Sequence, residues 1–185
     1  MNVVQLAIPG VLIIEPKVFG DRRGYFLETF HTARYAEAGV SGPFVQDNLS
    51  LSQRGVLRGL HVQHPFAQGK LVSVLEGEVF DVVVDVRVGS PTFGQWVGET
   101  LSALNARQLW VPAGFAHGFV VTSERALFSY KCTDYYHPEA ERSISWDDPR
   151  IGIVWPTRDV TLSAKDRAST LLHDMDTALL PVYAD

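Results

Sequence analysis

Residues 70–88 read KLVSVLEGEVFDVVVDVRV, two alternating apolar segments that meet at Glu76 and Gly77. Alternation of period two marks strands with one covered face, and a Glu-Gly pair between two such segments predicts a tight hairpin turn. Along the second segment Phe80, Val82, Val84, Val86 and Val88 share a face, while Asp81, Val83, Asp85 and Arg87 lie on the other. With the turn at 76–77, Lys70, Val72 and Val74 fall on the face that carries Val79, Asp81 and Val83. Carboxylate and ammonium groups interleaved with Val predict a partly enclosed interior, a barrel lumen with chemistry in it. Asp81 is expected diagonally across from Lys70, close enough to pair with it and keep it charged.

The rest of the chain repeats this style. Short runs rich in Val, Ile, Phe and Trp recur between Gly, Pro, Asn and Asp, which predicts many short strands and a mainly β protein. Helical signals are confined to FHTARYAEAG, residues 30–39, with Gly39 as the stop, and to a segment following TLSAKDRAST, residues 161–170. Without repeats or a linker-like boundary, residues 1–185 are expected to form one domain, a double-stranded β-helix or jelly-roll barrel with short peripheral helices. Trp96, Trp110, Trp146 and Trp155 read as core or interface packing, and edge strands near the N-terminus are open to pairing with another subunit.

Composition narrows the function. Hydrophobic residues make up 46% of the chain and charged residues 20%, as in ordinary globular proteins. A net charge of -5 argues against a surface dedicated to nucleic acid. No apolar run reaches the roughly 20 residues that a membrane-spanning helix needs. The single Cys132 and the start MNVVQLAIPG, which lacks a basic segment and a long apolar stretch, fit a cytoplasmic protein.

The segment GVLRGLHVQHP, residues 55–65, sets Arg58, His61 and His64 among small and apolar residues. WVPAGFAHGF, residues 110–119, carries Pro112, Gly114 and His117 as P-x-G-x-x-H, which resembles the second motif of the cupin superfamily, where the His often binds a metal. The partner motif is incomplete: His61 and His64 are spaced H-x-x-H, and the position expected to hold Glu is Lys70, whose ammonium offers no lone pair. The metal-free reading is preferred, so no metal ligands are assigned. A lumen with neutral His, cationic Lys and Tyr suits proton abstraction beside a carbonyl: a base takes the proton, a cation stabilises the enolate, and an acid on the opposite face returns a proton. FSYKCTDYYHPEAER, residues 128–142, offers Tyr130, Tyr135 and Tyr136 as that acid.

DRRGYFLETF, VQDNLS, GVLRGLHVQ, GSPTFGQW, VPAGFAHGF, YKCTDYYHPEAE and TLSAKD follow one another in an order that resembles the dTDP-4-dehydrorhamnose 3,5-epimerase family from about Ile8 to Tyr183. The resemblance implies a homodimeric, cofactor-independent jelly roll acting on a dTDP-4-keto-6-deoxy sugar in dTDP-L-rhamnose biosynthesis. It implies His61 as base, Asp166 as the carboxylate that orients it, Tyr130 as acid, and Lys70 near the C4 carbonyl. By the same resemblance Arg23, Phe26, Glu28, Gln46, Asp47, Asn48, Arg58, His117, Glu141 and Lys165, together with Lys70, bind the nucleotide sugar. Arg23, Arg58 and Lys165 suit the diphosphate. The family's N-terminal exchange implies that Arg23, Phe26 and Glu28 reach a neighbouring subunit's site. Relatives that invert one carbon only share these motifs, so a mono-functional 3- or 5-epimerase stays open, as does a non-catalytic sugar-nucleotide-binding cupin. Asp166 also follows Ser163 in an S-x-x-D pattern that by itself indicates a helix start.

Overall fold

The computed structural model describes residues 1–184. The alternating segments form strands β1 (Asn2–Gln5), β2 (Leu12–Glu15), β3 (Val18–Asp21), β4 (Gly24–Leu27), β5 (Gln46–Gln53), β6 (Leu57–Gln63), β7 (Lys70–Glu76), β8 (Glu78–Asp85), β9 (Trp96–Ser102), β10 (Gln108–Val111), β11 (Phe115–Val121), β12 (Arg125–Cys132) and β13 (Glu141–Ser143). Two short helices, α1 (Thr32–Glu37) and α2 (Ala164–Arg167), lie outside them. A six-stranded sheet of order β1-β2-β10-β7-β12-β5 faces a five-stranded sheet of order β13-β6-β11-β8-β9, and β3 and β4 form a separate two-stranded arm. The pairings between these strands are antiparallel. This is the expected jelly roll.

β7 and β8, expected to be hairpin partners, do not pair. Both edges of β7 are taken by β10 and β12, and both edges of β8 by β11 and β9, so the chain crosses between sheets at Gly77. Gly77 has φ +77, and a Cβ there would collide with the Arg125 carbonyl oxygen, so the corner requires glycine. The face assignments survive, because side-chain alternation belongs to each strand whatever its partner. Val72 and Val74 meet Val79 and Val83 between the sheets, with Leu109, Phe119 and Phe128. The opposite face of β8 also becomes dry: Val82 and Val84 pack beneath Ile144, Ile151, Ile153, Trp155 and Leu172 from the C-terminal segment. Each such aliphatic side chain contributes roughly 1.5–3 kcal/mol when fully buried.

α1 ends as the sequence suggests, at Ala38 before Gly39 with φ +90. Its Tyr35 is buried with Leu12, Ile14, Leu71 and Trp110, and the phenol donates to Gln108 Oε1 at 2.7 Å. The four tryptophans are packing residues: Trp110 and Trp155 are buried, Trp96 and Trp146 lie against the C-terminal cluster, and Trp155 Nε1 donates to the Trp146 carbonyl. Leu49, Leu51 and Leu75 on the six-stranded sheet stay exposed, as do Phe19, Tyr25 and Phe26 on the arm. Among the described residues, no helix is long and apolar enough to cross a membrane.

Candidate active site

A cavity of about 620 Å³ opens between the sheets. One wall belongs to β6 and β11, where Arg58, His61 and His117 project inward. Arg58 and His61 are three apart and would face opposite ways on a regular strand. The pairing of β11 with β6 shifts register between His117 and Phe119. Gly59, with φ +126, sits at this shift, and a Cβ on it would come within 2.6 Å of the Gly118 Cα. Two facing glycines thus let the strands approach while Leu57, Leu60 and Val62 keep the outer core and both polar residues turn into the cavity.

His61 stands between two carboxylates. Its Nε2 lies 2.6 Å from Asp166 Oδ1, and its Nδ1 lies 3.5 Å from Glu141 Oε1. Asp166 occupies the first turn of α2, where the Ser163 hydroxyl accepts from the Asp166 amide at 3.1 Å and donates to its Oδ2 at 2.8 Å. The S-x-x-D pattern therefore both starts the helix and fixes the carboxylate against the imidazole. Burial pushes the Asp166 carboxyl up, but the hydrogen bond and charge of His61, with Ser163 and Lys165, outweigh it and hold the group below its ordinary value. Glu141 receives Tyr136 Oη at 2.8 Å and pairs with Lys165. It too is lowered, burial being offset by Lys165, His61 and Tyr136. Tyr136 in turn is pushed up to about 12, chiefly by its hydrogen bond to Glu141.

The opposite wall comes from the six-stranded sheet. Lys70 and Tyr130 on β7 and β12, with Gln46 and Asn48 on β5, line the cavity. Burial pushes the Tyr130 phenol up, as do Cys132 and Glu141, while Arg58 opposes the shift. Burial lowers the Lys70 ammonium, against the charges of Cys132, Glu141 and Asp81. The expected Lys70–Asp81 pair is not formed as a direct contact: Asp81 Oδ1 instead takes His117 Nε2 at 2.7 Å.

Most of the sequence-derived site assembles: His61, Asp166, Tyr130, Lys70, Arg58, Gln46, Asn48, His117, Glu141 and Lys165 line one cavity. Asp47 does not. It alternates with Gln46 and Asn48, so it points outward, where its carboxylate accepts from Lys131 Nζ at 2.9 Å. Arg23, Phe26 and Glu28 also stand away from this cavity, on or beside the arm. Arg23 pairs with Asp21 at 2.5 Å and is 90% exposed, Phe26 is exposed, and Glu28 pairs with Arg34. Of the three tyrosines, Tyr130 and Tyr136 line the cavity and Tyr135 does not.

Some lining residues escaped the sequence reading. Ser50 continues the inward parity of Gln46 and Asn48, so alternation alone would have found it. Gln68, Thr161 and Leu162 lie outside the strands that line the walls, where no periodicity marks them. Among the described residues, no three His, Cys, Asp or Glu side chains cluster to hold a metal ion.

The family model described as dTDP-4-dehydrorhamnose 3,5-epimerase matches residues 5–174. The chain belongs to this family. It is 59% identical over 178 residues to the dTDP-4-dehydrorhamnose 3,5-epimerase of Pseudomonas aeruginosa, covering 95% of this chain and 98% of that one. The crystal structure of dTDP-6-deoxy-D-glucose-3,5-epimerase from Legionella pneumophila, in complex with dTDP-4-keto-L-rhamnose, superimposes with a TM-score of 0.97 at 59% identity, covering 100% of this chain and 99% of that one. A dTDP-4-dehydrorhamnose 3-epimerase from Streptomyces niveus is 43% identical over 188 residues, covering 100% of this chain and 90% of that protein. In this epimerase-family chain the polar lumen and the ordered motifs are thus one feature.

Proposed function

We infer that the protein inverts C3 and C5 of dTDP-4-dehydro-6-deoxy-D-glucose, giving dTDP-4-dehydro-L-rhamnose for dTDP-L-rhamnose synthesis, with no cofactor. The observation that carries this reading is the placement of His61, backed by Asp166, on one sheet and of Tyr130 on the facing sheet, across a cavity that also holds Lys70. Inversion needs a base and an acid on opposite faces of the ring. The Asp166 carboxylate can only accept, so it selects the tautomer with hydrogen on Nε2; the Nδ1 lone pair takes the proton, and Glu141 Oε1, 3.5 Å from Nδ1, helps stabilise the imidazolium that results. The C4 ketone makes the C3 and C5 protons acidic, and the Lys70 charge stabilises the enolate oxygen formed when either is removed. Tyr130, whose phenol is raised, keeps its proton at neutral pH and delivers it to the other face.

Arg58 and Lys165 suit the diphosphate as fork and point charge. A homodimer is supported by the exposed Leu49, Leu51 and Leu75 and by the apolar arm, with Arg23, Phe26 and Glu28 completing the partner's site. The 185 residues work as one domain, in the cytoplasm, on a small nucleotide sugar.

Incubation of the protein with dTDP-4-keto-6-deoxyglucose in deuterated water, followed by NMR, tests the reading. Deuterium at both C3 and C5 with the L-lyxo product is expected. Exchange at one carbon alone makes it a mono-epimerase like its Streptomyces niveus relative's name, and no exchange leaves a sugar-nucleotide-binding protein.

A further inference from the structure

Asp81 is a completely buried carboxylate that the double inversion, as derived above, leaves without a task. It lies on the inner face of β8, behind His117, which offers it Nε2. Only Oδ1 is used, and Oδ2 has no hydrogen-bond partner. On the facing sheet, Lys70 makes no ion pair within 4 Å among the described residues, although it lines the cavity behind which Asp81 holds His117. A fully buried carboxylate oxygen without a partner is costly, and a cation on the facing sheet lessens that cost.

We propose that Asp81 is a positioning residue for the epimerisation: anchored through one oxygen by His117, it keeps the Lys70 side chain an ammonium aimed at the ketone. This rests on the epimerase reading above, in which Lys70 stabilises the enolate. Burial works against both charges, and the two groups oppose that shift in each other. The other groups in the same surroundings divide by sign. Glu141 on β13 also favours the ammonium, while burial pushes the Cys132 thiol on β12 up and keeps it uncharged. Arg58 on β6 and Lys165 on α2 add positive charge to the cavity. His61 and Asp166 form their own pair, and Tyr130 stays protonated. Asp81 differs from Glu141 in having one oxygen unclaimed, since both Glu141 oxygens face partners.

The role separates from simple structural support by its pH signature. Asp81→Asn preserves volume and leaves an acceptor for His117, but removes the charge. Loss of an opposite charge lowers the pKa of an amine, so the alkaline limb of kcat/KM should move to lower pH, with activity partly recovered on acidification. In a Lys70→Arg background the same substitution should shift nothing, because guanidinium does not titrate in this range. A merely structural Asp81 predicts a loss uniform in pH and present in both backgrounds, and that result overturns the proposal. NMR titration of the Lys70 amine in the unaltered protein decides the matter without a variant: an amine already neutral at pH 7 also overturns it. Because this titration needs no turnover, its outcome stays distinct from a failure to exchange sugar protons, which would strike the epimerase reading instead.

Discussion

Asp166→Asn should abolish most of the catalysis and little of the binding. In the folded protein Asp166 is only 4% exposed and its Oδ1 stands 2.6 Å from His61 Nε2, so solvent screens the pair weakly. A carboxylate this close stabilises the imidazolium that forms as the proton is taken, and a neutral amide in its place does not. Hydrogen-bond polarity adds a second loss. The Ser163 hydroxyl accepts from the residue-166 amide and needs an acceptor at the Oδ2 position. The new amide therefore turns its oxygen to Ser163 and its NH2 to His61, favouring the tautomer that carries hydrogen on Nδ1, where the base must be free. Together these losses amount to about 10²–10⁴-fold in proton exchange, the range typical of removing positioned acid–base catalysis. The backbone amide that caps α2 is untouched, so dTDP affinity by calorimetry should stay within about threefold of the unaltered protein, a limit well under the 1.4 kcal/mol of a tenfold change. Exchange within twofold of the unaltered rate, by NMR in deuterated water, refutes the reasoning about the dyad; a fall in dTDP affinity matching the fall in rate refutes the claim that Asp166 acts only on the base.

Tyr130→Phe should retain wash-in of deuterium through His61 while inverted product falls by about 10²–10⁴-fold; inversion at the unaltered rate removes Tyr130 as the donor and leaves Tyr136 as the next candidate. Mixing His61→Asn with Arg23→Ala protein should give heterodimers with one restored site, measurable as recovered turnover, whereas no recovery would mean that Arg23 serves its own subunit. Asp85, which is completely buried, tests a structural charge: burial pushes its carboxyl up, but Arg87, Ser90 and Thr92 hold it at about 2, below the ordinary 3.8. A depressed folded value stabilises in full above pH 4 and is lost as pH falls towards 2, so Asp85→Asn should cost roughly 2–3 kcal/mol at neutral pH, and urea unfolding should show the gap closing below pH 4.

What the sequence makes legible is parity, and what it hides is partnership. Alternation in residues 70–88 places Val72, Val74, Val79, Asp81 and Val83 between the sheets, and they are there. The same residues say nothing about which strand lies alongside, because hydrogen bonds between strands are made by backbone atoms that all residues share. A local hairpin is the cheapest guess, and the jelly roll instead gives β7 and β8 to different sheets. The outward turn of Asp47 is legible from parity: a motif match carries the whole QDN run, whereas a strand sends neighbouring side chains to opposite faces. Arg58 and His61 show the reverse. Strict alternation separates them, and only the shift at Gly59 brings both inside, so here the motif carried information that periodicity could not. The Asp81–His117 pair was missed because it joins residues 36 apart on adjacent strands, a relation fixed by the β11–β8 register.

The division of the chemistry between two sheets explains why so much of the chain is dry packing around so few polar groups. His61 and His117 are carried by the five-stranded sheet, Lys70 and Tyr130 by the six-stranded one. No backbone hydrogen-bond ladder sets the distance between these groups; the thickness of the core does. Phe119 on β11 and Phe128 on β12 stack with centroids 4.1 Å apart, next to His117 on one side and Tyr130 on the other. Such rings resist compression as an organic crystal does. The gap between His61 on one sheet and Tyr130 on the other, in which the proposed double inversion would seat the sugar ring, is therefore fixed by side chains that touch no proton. The C-terminal segment extends the same logic, since it covers the outer face of the five-stranded sheet and also delivers Asp166 to His61. Holding the His61 imidazole against a carboxylate and closing the second layer of the core are tasks of the same stretch of chain.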